Sequence, residues 1–408
     1  MDKDALDVLF SGKKYLLLQG PMGPFFNDVA ELLSSTGRYT ISVVFNGGDY
    51  FYNRKRDIRC YYQSSKEFSA WLQKLHCDFN FDTILCFGDC RDLHKEAKYW
   101  AICRGIRFLV FEEGYLRPQF ITLEEGGVNA LSSLPREADF YRKQFNVVKS
   151  CIINLKPLMW KRIWHAMWYY FMGWYYRYEY PNYRHHKSFS IRHEAFCWLR
   201  AYWRKGLYFI KEFNVLSKLK GELNQRYYLI VLQVYNDSQI RNHSCYHDVR
   251  DYINEVMLSF SRKAPKDTVL VIKHHPMDRG HRQYHPLITQ LGKDYSIEER
   301  VLYIHDLPMP DLLRHTKGVV TINSTAGIST LTHNKPLKVM GKALYDIDGL
   351  TYQDSLDEFW NASFKPDMEL FNKFKQYLLW KTQINHVFYG RHKIIHSKII
   401  DKYIKMNK

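Results

Sequence analysis

The sequence predicts an α/β protein built as two Rossmann-like halves with a substrate cleft between them. Three observations carry this expectation. Short apolar runs that end in Gly, Pro or small polar residues alternate with stretches of helical period. The alternation begins afresh near residue 227. The length, 408 residues, exceeds what one hydrophobic core usually organises, so two domains of ~150–200 residues are expected.

Taken in order, the first strand is Tyr15-Leu16-Leu17-Leu18, closed by the loop Gln19-Gly20-Pro21-Met22-Gly23-Pro24. A helix is expected over 27–33 and a strand over 41–45, stopped by Asn46-Gly47-Gly48. Residues 67–75 have helical period, and Thr83-Ile84-Leu85-Cys86-Phe87 reads as a buried strand. A helix over 93–103 and a strand over 107–111 follow. The second series places strands at 228–232, 269–272, 301–304, 319–322 and 337–340, with a helix over 246–260 and others between. Such spacing predicts parallel sheets with crossover helices. No repeat of solenoid length is visible. The last stretch, 370–403, is basic and amphipathic and suits a helix packing back across the first domain.

Composition narrows the function. Apolar residues at 46% and charged residues at 25% are ordinary globular values, which excludes a disordered or collagen-like chain. The eight Cys form no CxxC pair, which argues against a disulfide scaffold or a zinc site and fits a reducing cytosolic compartment. The start, Met-Asp-Lys-Asp-Ala-Leu-Asp, shows no basic cap before an apolar run, so a secretory signal is not expected. Formal charge is +17, and residues 141–226 hold seventeen Lys/Arg against four acids, a local net of +13. Concentrated positive charge implies a polyanionic partner: nucleic acid, an anionic membrane surface or an acidic substrate.

Residues 158–209 interleave Trp and Tyr with Arg, Lys and His. The longest part free of Lys, Arg, Asp and Glu, 163–176, is too short and too wet to span a bilayer, which takes ~18–20 apolar residues. It suits an in-plane contact with an anionic membrane surface. An aromatic helical pair packed on a sheet, its basic residues merely solvated, is the plainer alternative. A single-strand nucleic acid groove has similar composition, but no RNP, KH, zinc-finger or helix-turn-helix signature accompanies it.

Three loops carry the chemistry. In Phe111-Glu112-Glu113-Gly114-Tyr115-Leu116-Arg117-Pro118 a strand delivers two acids to its carboxyl end, where open α/β sheets bind ligands. Adjacent residues leaving a strand diverge, so one of the two acids is expected to face the cleft. Arg117 suits a substrate carboxylate, or simply pairs with Glu112 or Glu113 across a turn. In Ile272-Lys273-His274-His275-Pro276, Pro276 restricts His275 to extended backbone, and a His there can hydrogen-bond a phosphate or protonate a leaving group. Neighbouring His side chains diverge and lack a partner at ligand spacing, so no metal is expected. Ordinary loop histidines are the alternative.

In Thr321-Ile322-Asn323-Ser324-Thr325-Ala326-Gly327 a small polar loop opens a helix, where hydroxyls and amides seat a phosphate or merely cap the helix. Gly20 and Gly23 form a similar but weaker loop. Asp346-Ile347-Asp348 matches the DxD of metal-dependent sugar transferases, a signal too short to inform. Together an acid-bearing loop in one half and a His/Lys plus Ser/Thr seat in the other form the layout of a two-domain nucleotide-sugar transferase. No GxSxG elbow, Walker motif or kinase loop competes.

With these residues in view, the chain resembles the capsule polysaccharide synthesis family of the KpsS/LipB type. The landmarks are Leu18-Gln19-Gly20-Pro21-Met22-Gly23-Pro24-Phe25-Phe26, the Phe111 to Pro118 motif, Ile121-Thr122-Leu123-Glu124 and Gly127-Val128-Asn129-Ala130. They continue with Leu232-Gln233-Val234-Tyr235-Asn236-Asp237-Ser238-Gln239, Lys273-His274-His275-Pro276 and Asn323-Ser324-Thr325-Ala326-Gly327. The resemblance implies a GT-B-like fold, two Rossmann-like domains facing a central cleft with an aromatic/basic helical insertion. It implies a β-Kdo transferase that moves Kdo, an eight-carbon acidic sugar, from CMP-β-Kdo to a (lyso)phosphatidylglycerol-type lipid. That step would start the poly-Kdo linker of a capsular polysaccharide. Related enzymes retain configuration through a covalent Kdo intermediate on a carboxylate. Their Glu-acid-Gly-aromatic motif falls on Glu112-Glu113-Gly114-Tyr115, with the second acid at Glu113.

The expected organisation is an acceptor-side domain over 1–225 that includes the helical segment 141–225, a CMP-binding domain over 226–370, and a returning helix over 371–408. Glu113 is expected as nucleophile with Glu112 beside it, and His275 as the group assisting CMP departure. Lys273, Asn323, Ser324 and Thr325 are expected to seat the phosphate, with Gln233, Asn236, Arg117, Gly20 and Gly23 also at the substrate. CMP-Kdo is the donor substrate, and neither a cofactor nor a metal is expected. Expected partners are the lipid acceptor, an anionic membrane surface and other capsule-assembly proteins, without nucleic acid. The expected location is cytoplasmic, peripheral on the inner face of the membrane. A non-catalytic assembly or export adaptor, or a transferase using another nucleotide sugar, is the alternative.

Overall fold

The computed structural model describes residues 3–143, 152–184, 191–237, 240 and 243–394. Parts of three expected features lie outside the described residues: 144–151 and 185–190 of the basic stretch, Ser238 and Gln239 of the Gln233 motif, and 395–408 of the returning tail. The chain divides into two compact units. The first comprises 1–134, 145–189 and 376–408, and the second 135–144 and 190–375.

The fold is mixed α/β with two sheets. Unit 1 holds a seven-stranded sheet of β1 (Lys14–Leu17), β2 (Tyr39–Val44), β3 (Ile58–Cys60), β4 (Thr83–Phe87), β5 (Arg107–Glu113), β6 (Ile121–Glu125) and β12 (Gln383–Ile384). Their order is β12-β6-β5-β4-β1-β2-β3. Successive side chains alternate between two cores, as a strand with a period of two requires. Leu16, Ile41, Val43, Ile84, Cys86, Phe108 and Val110 enter one; Tyr15, Leu17, Leu85, Leu109 and Phe111 enter the other. Burial on both faces is why these strands read as continuous apolar runs.

The sheet is not wholly parallel, contrary to expectation. β6 runs antiparallel to β5, and β12 antiparallel to β6. Only residues 114–120 join β5 to β6, and a parallel return needs a crossover of a dozen or more residues. The Asn46-Gly47-Gly48 punctuation also starts something. Asn46 caps a helix over Gly47–Asn53, its side-chain oxygen accepting the amides of Gly48 and Asp49.

That helix packs against a second one, Met159–Tyr175. A Cβ on Gly47 would lie 2.3 Å from the Met172 carbonyl oxygen, and one on Gly48 2.7 Å from the Tyr169 ring. The two glycines therefore permit the close approach. No helix among the described residues is long and apolar enough to cross a membrane.

Unit 2 holds a five-stranded sheet of β7 (Tyr227–Val231), β8 (Val269–Lys273), β9 (Val301–Ile304), β10 (Gly318–Thr321) and β11 (Leu337–Val339). The order is β11-β10-β7-β8-β9, and every pairing is parallel. Its core includes Tyr252, Phe260, Phe359 and Trp360, whose indole donates to the Ser259 hydroxyl at 2.8 Å.

The division at 189/190 differs from the expected 225/226. The Ile191–Lys211 helix belongs with the second unit because its arginines satisfy that unit's carbonyls. Arg200 Nε donates to Gly280 O at 2.6 Å, and Arg204 to Arg279 O at 2.7 Å. The tail re-enters unit 1, where Gln383 pairs with Thr122, and Asn385 Nδ2 donates to Gln119 O at 2.9 Å.

Candidate functional site

β5 extends through both acids, with Glu112 opposite Thr122 and Glu113 opposite Ile121. Alternation sends Glu112 to the face of Phe108 and Val110, and Glu113 to the face of Leu109 and Phe111. The two carboxylates thus leave the sheet on opposite sides. Glu113 lines a cavity of about 180 Å3 in unit 1 with Arg117, Phe120, Leu158, Arg162 and Tyr389. Arg162 is its cation, NH1 to Oε1 3.8 Å. Arg117 does not close a turn onto either acid; its Nε donates to Gly114 O at 3.3 Å.

Glu112 has another environment. Its Oε1 accepts the Glu113 amide at 2.9 Å. Burial, with the Glu113 and Asp89 carboxylates nearby, outweighs that bond and Arg117, and its carboxyl is pushed up to about 7. Behind the motif, Tyr115 is fully enclosed and donates to Glu124 Oε1 at 2.6 Å, while Ser132 Oγ bonds Oε2.

Burial likewise raises Glu124 from an ordinary 4.5 to about 7. The folded chain therefore holds this proton more tightly than the unfolded chain, so stability falls as pH rises from about 4.5 to about 7. Glu124→Gln keeps the shape and removes the titration. Its melting temperature is expected to match wild type near pH 5 and exceed it at pH 8, a difference on the order of 2 kcal/mol. Parallel pH profiles in thermal melts of the two proteins would contradict this.

At the carboxyl ends of β1 and β2 lies a buried network that the sequence did not single out. Gln19 Nε2 donates to Asp49 Oδ2 (3.0 Å) and to the hydroxyls of Tyr169 and Tyr183 (both 2.9 Å). Arg91 donates to Gln19 Oε1 at 2.6 Å, and Asn46 Nδ2 to Asp49 and to Tyr169. Burial raises Asp49 to about 6. The one available signal was an Asp three residues into an Asn-capped turn. Gly20 and Gly23 lie in the adjoining loop. A Cβ on Gly20 would meet the Phe26 ring at 2.7 Å, and Gly23 has φ 138, a conformation that favours glycine.

In unit 2 the strand order reverses between β7 and β10, the switch point at which such sheets bind ligands. There Gln233 Nε2 donates to Asn323 Oδ1 at 3.0 Å and to Asp237 at 3.1 Å, and the Asn323 amide donates back to Gln233 Oε1 at 3.3 Å. Ser324 Oγ accepts the Ala326 amide at 3.2 Å, with Thr325 at the start of the Ala326–Thr332 helix. Asn236 is half-buried in the turn after β7. His275 caps the short turn Pro276–Asp278, its Nδ1 accepting the Met277 amide at 3.2 Å.

Lys273 is placed otherwise than expected. It is buried, its ammonium donates to His305 O at 2.9 Å, and burial lowers its pKa to about 8. Beside it Glu212 accepts from the His305 amide (2.9 Å) and meets His305 Nδ1 (2.7 Å), and the Tyr208 ring stacks on His305 at 3.5 Å. Glu212, one of four acids in a strongly basic stretch, went unremarked in the sequence. His274 is buried against Tyr303, Nδ1 to hydroxyl 2.7 Å, and burial drives it down to about 3, so its ring is neutral.

The family model described as Capsule polysaccharide biosynthesis protein matches residues 82–389. The chain is 70% identical to the Capsule polysaccharide export protein KpsS of Escherichia coli over 389 residues, 95% of this chain and 100% of that one. It is 39% identical to the Capsule polysaccharide modification protein LipB of Neisseria meningitidis over 395 residues, 94% of each chain. Among solved structures, the KpsC β-Kdo 2,7-transferase of Thermosulfurimonas dismutans aligns over 96% of this chain and 99% of its own. Identity there is 12% and the TM-score 0.42, a likeness that bears on neither donor nor mechanism.

Proposed function

The chain belongs to the capsule polysaccharide biosynthesis family, and from that premise we propose a retaining β-Kdo transferase acting from CMP-β-Kdo on a phosphatidylglycerol-type lipid. The observation that carries this reading is Glu113, a carboxylate at the end of β5 lining a cavity with two arginines. Unit 2 binds the nucleotide and Glu113 of unit 1 receives the sugar. The Glu113 carboxylate attacks the anomeric carbon, and the bond from that carbon to the CMP phosphate oxygen breaks. The electron pair leaves with CMP, and a Glu113–Kdo ester forms. A lipid hydroxyl then attacks the same carbon from the side opposite Glu113, the bond to Glu113 breaks with its electron pair returning to the carboxylate, and the hydroxyl proton passes to solvent. Two inversions leave the configuration retained.

Gln233, Asn323, Ser324 and Thr325 are the proposed CMP seat, supported by their meeting at the switch point of unit 2, with Asn236 in the adjoining turn. The proposed seat omits Lys273, whose ammonium is taken up by the His305 carbonyl. His275, which caps the Pro276–Asp278 turn, is assigned the departing phosphate. Arg117 is assigned the Kdo carboxylate. The setting is the inner face of the cytoplasmic membrane.

The test is incubation of the purified protein with fresh CMP-Kdo and a fluorescent phosphatidylglycerol analogue, read by mass. A product heavier by one Kdo is expected; no product, with CMP binding also absent from a calorimetric titration, would favour a non-catalytic adaptor. Gln233→Ala is expected to weaken CMP binding by about tenfold, since it removes both halves of the bond pair to Asn323. An unchanged titration would move the nucleotide elsewhere.

A further inference from the structure

Among the described residues, the Met159–Tyr175 helix is held on unit 1 mainly by one face. His165 Nδ1 meets the Tyr52 hydroxyl at 3.0 Å, Tyr169 joins the Asp49 network, and Met172 and Tyr176 close on Gly47. These positions fix the rotation of the helix about its axis. The opposite face, continued into the turns that follow, carries Trp160, Trp164, Met167, Phe171, Trp174 and Tyr178, at intervals of four, three, four, three and four. That is a straight stripe at helical period. All six are between 44% and 80% exposed, in a chain that buries most of its other large apolar side chains. A stripe of this kind marks a contact surface.

We infer that this stripe is the protein's seat on an anionic phospholipid bilayer, with the helix lying in the plane of the headgroups. Its side chains are of the types that favour that depth, with an apolar body and, in Trp and Tyr, a polar handle. The charge around it is complementary. Residues 152–184 hold five Lys/Arg and one acid. Two of the cations border the stripe: Lys161 lies over Trp160, and Arg177 over both Trp174 and Tyr178.

The helix is also continuous with the Glu113 cavity. Leu158, Met159 and Arg162 line that cavity, with Arg117 across it. A bilayer under the stripe therefore meets the helix next to its first turn, which lines the cavity that holds Glu113. The inference rests on the reading that the acceptor is a membrane lipid, and it assigns the surface from which that lipid is taken.

The test is co-sedimentation of the full chain, without donor, with vesicles of phosphatidylcholine alone or with three parts in ten of phosphatidylglycerol. Wild type is expected to bind the phosphatidylglycerol vesicles, and to lose binding as salt rises. Trp164→Ser combined with Phe171→Ser is expected to bind them at least tenfold more weakly with an unchanged circular dichroism spectrum. The more exposed pair Tyr99→Ser and Ile102→Ser, on another helix of the same unit, is expected to bind as wild type does. Absence of vesicle binding by wild type, or equal binding by the Trp164/Phe171 variant, overturns the inference and leaves the face to a protein partner. Because no donor is present, failure of Kdo transfer leaves this result untouched. Conversely, transfer to a short-chain acceptor in free solution by the Trp164/Phe171 variant separates loss of the membrane seat from loss of catalysis.

Discussion

Glu113→Gln is expected to lower transfer from CMP-Kdo by about 10^3-fold or more while the protein folds and binds CMP as wild type does. The amide keeps the size of the side chain and its place on β5, so the cavity with Arg117 and Arg162 stays formed. It cannot form the ester, and the first displacement has no nucleophile. Glu112→Gln makes a sharp comparison, because the amide oxygen can still accept the Glu113 amide proton. Its expected effect is within about tenfold, since the side chain leaves the sheet on the other face and its carboxyl, near 7, is already half-protonated at neutral pH. Reversal of the two results would exchange the roles of the two acids.

Tyr169→Ala is expected to be the most damaging change to unit 1. The side chain is buried; its ring lies on Gly48, and its hydroxyl bonds Asp49, Asn46 and Gln19. Removing the ring opens a cavity beneath the Met159–Tyr175 helix, at a cost of ~3–5 kcal/mol. Tyr169→Phe keeps the ring and removes one member of the network, leaving buried polar atoms of Asp49 and Asn46 short of a partner, at ~1–3 kcal/mol. Urea denaturation of the three proteins should rank them wild type, Phe, Ala. Equal stability of Phe and Ala would mean that the ring does not anchor the helix.

The strands over 83–87 and 301–304 were legible in the sequence to the residue, because each is a short, largely apolar run bounded by polar residues. Where a strand ends in charge the pattern misled. β5 continues through Glu112 and Glu113 because β6 pairs with it, and an apolar run gives no notice of that. β6 and β12 were hidden for a related reason. Gln383 and Ile384 find Thr122 and Ile121 across a separation of more than two hundred and fifty residues, and Glu124 breaks the apolar alternation while being satisfied by Tyr115 and Ser132. The helix at Gly47 was masked by its own glycines, which read as a breaker but serve close packing. The boundary at 189/190 depends on where Arg200 and Arg204 find carbonyls, a tertiary matter.

The candidate site was legible as motifs but not as neighbourhoods. Gln233 and Asn323 were both singled out, and the structure joins them directly. Lys273 was singled out for its charge, yet alternation along β8 and the loop after β9 bury its ammonium. Asp49 and Glu212 were missed because each acts with partners remote in sequence, Tyr169 and His305.

The most direct measurement of the central claim is a rapid acid quench of wild type with CMP-Kdo and no acceptor, followed by proteolysis and tandem mass spectrometry. The expected result is one Kdo attached to the peptide containing Glu112 and Glu113, with fragmentation assigning it to Glu113, and no such peptide from Glu113→Gln. Turnover in the presence of acceptor with an unmodified peptide, or a Kdo attached to any other residue, would contradict a carboxylate-linked intermediate at Glu113.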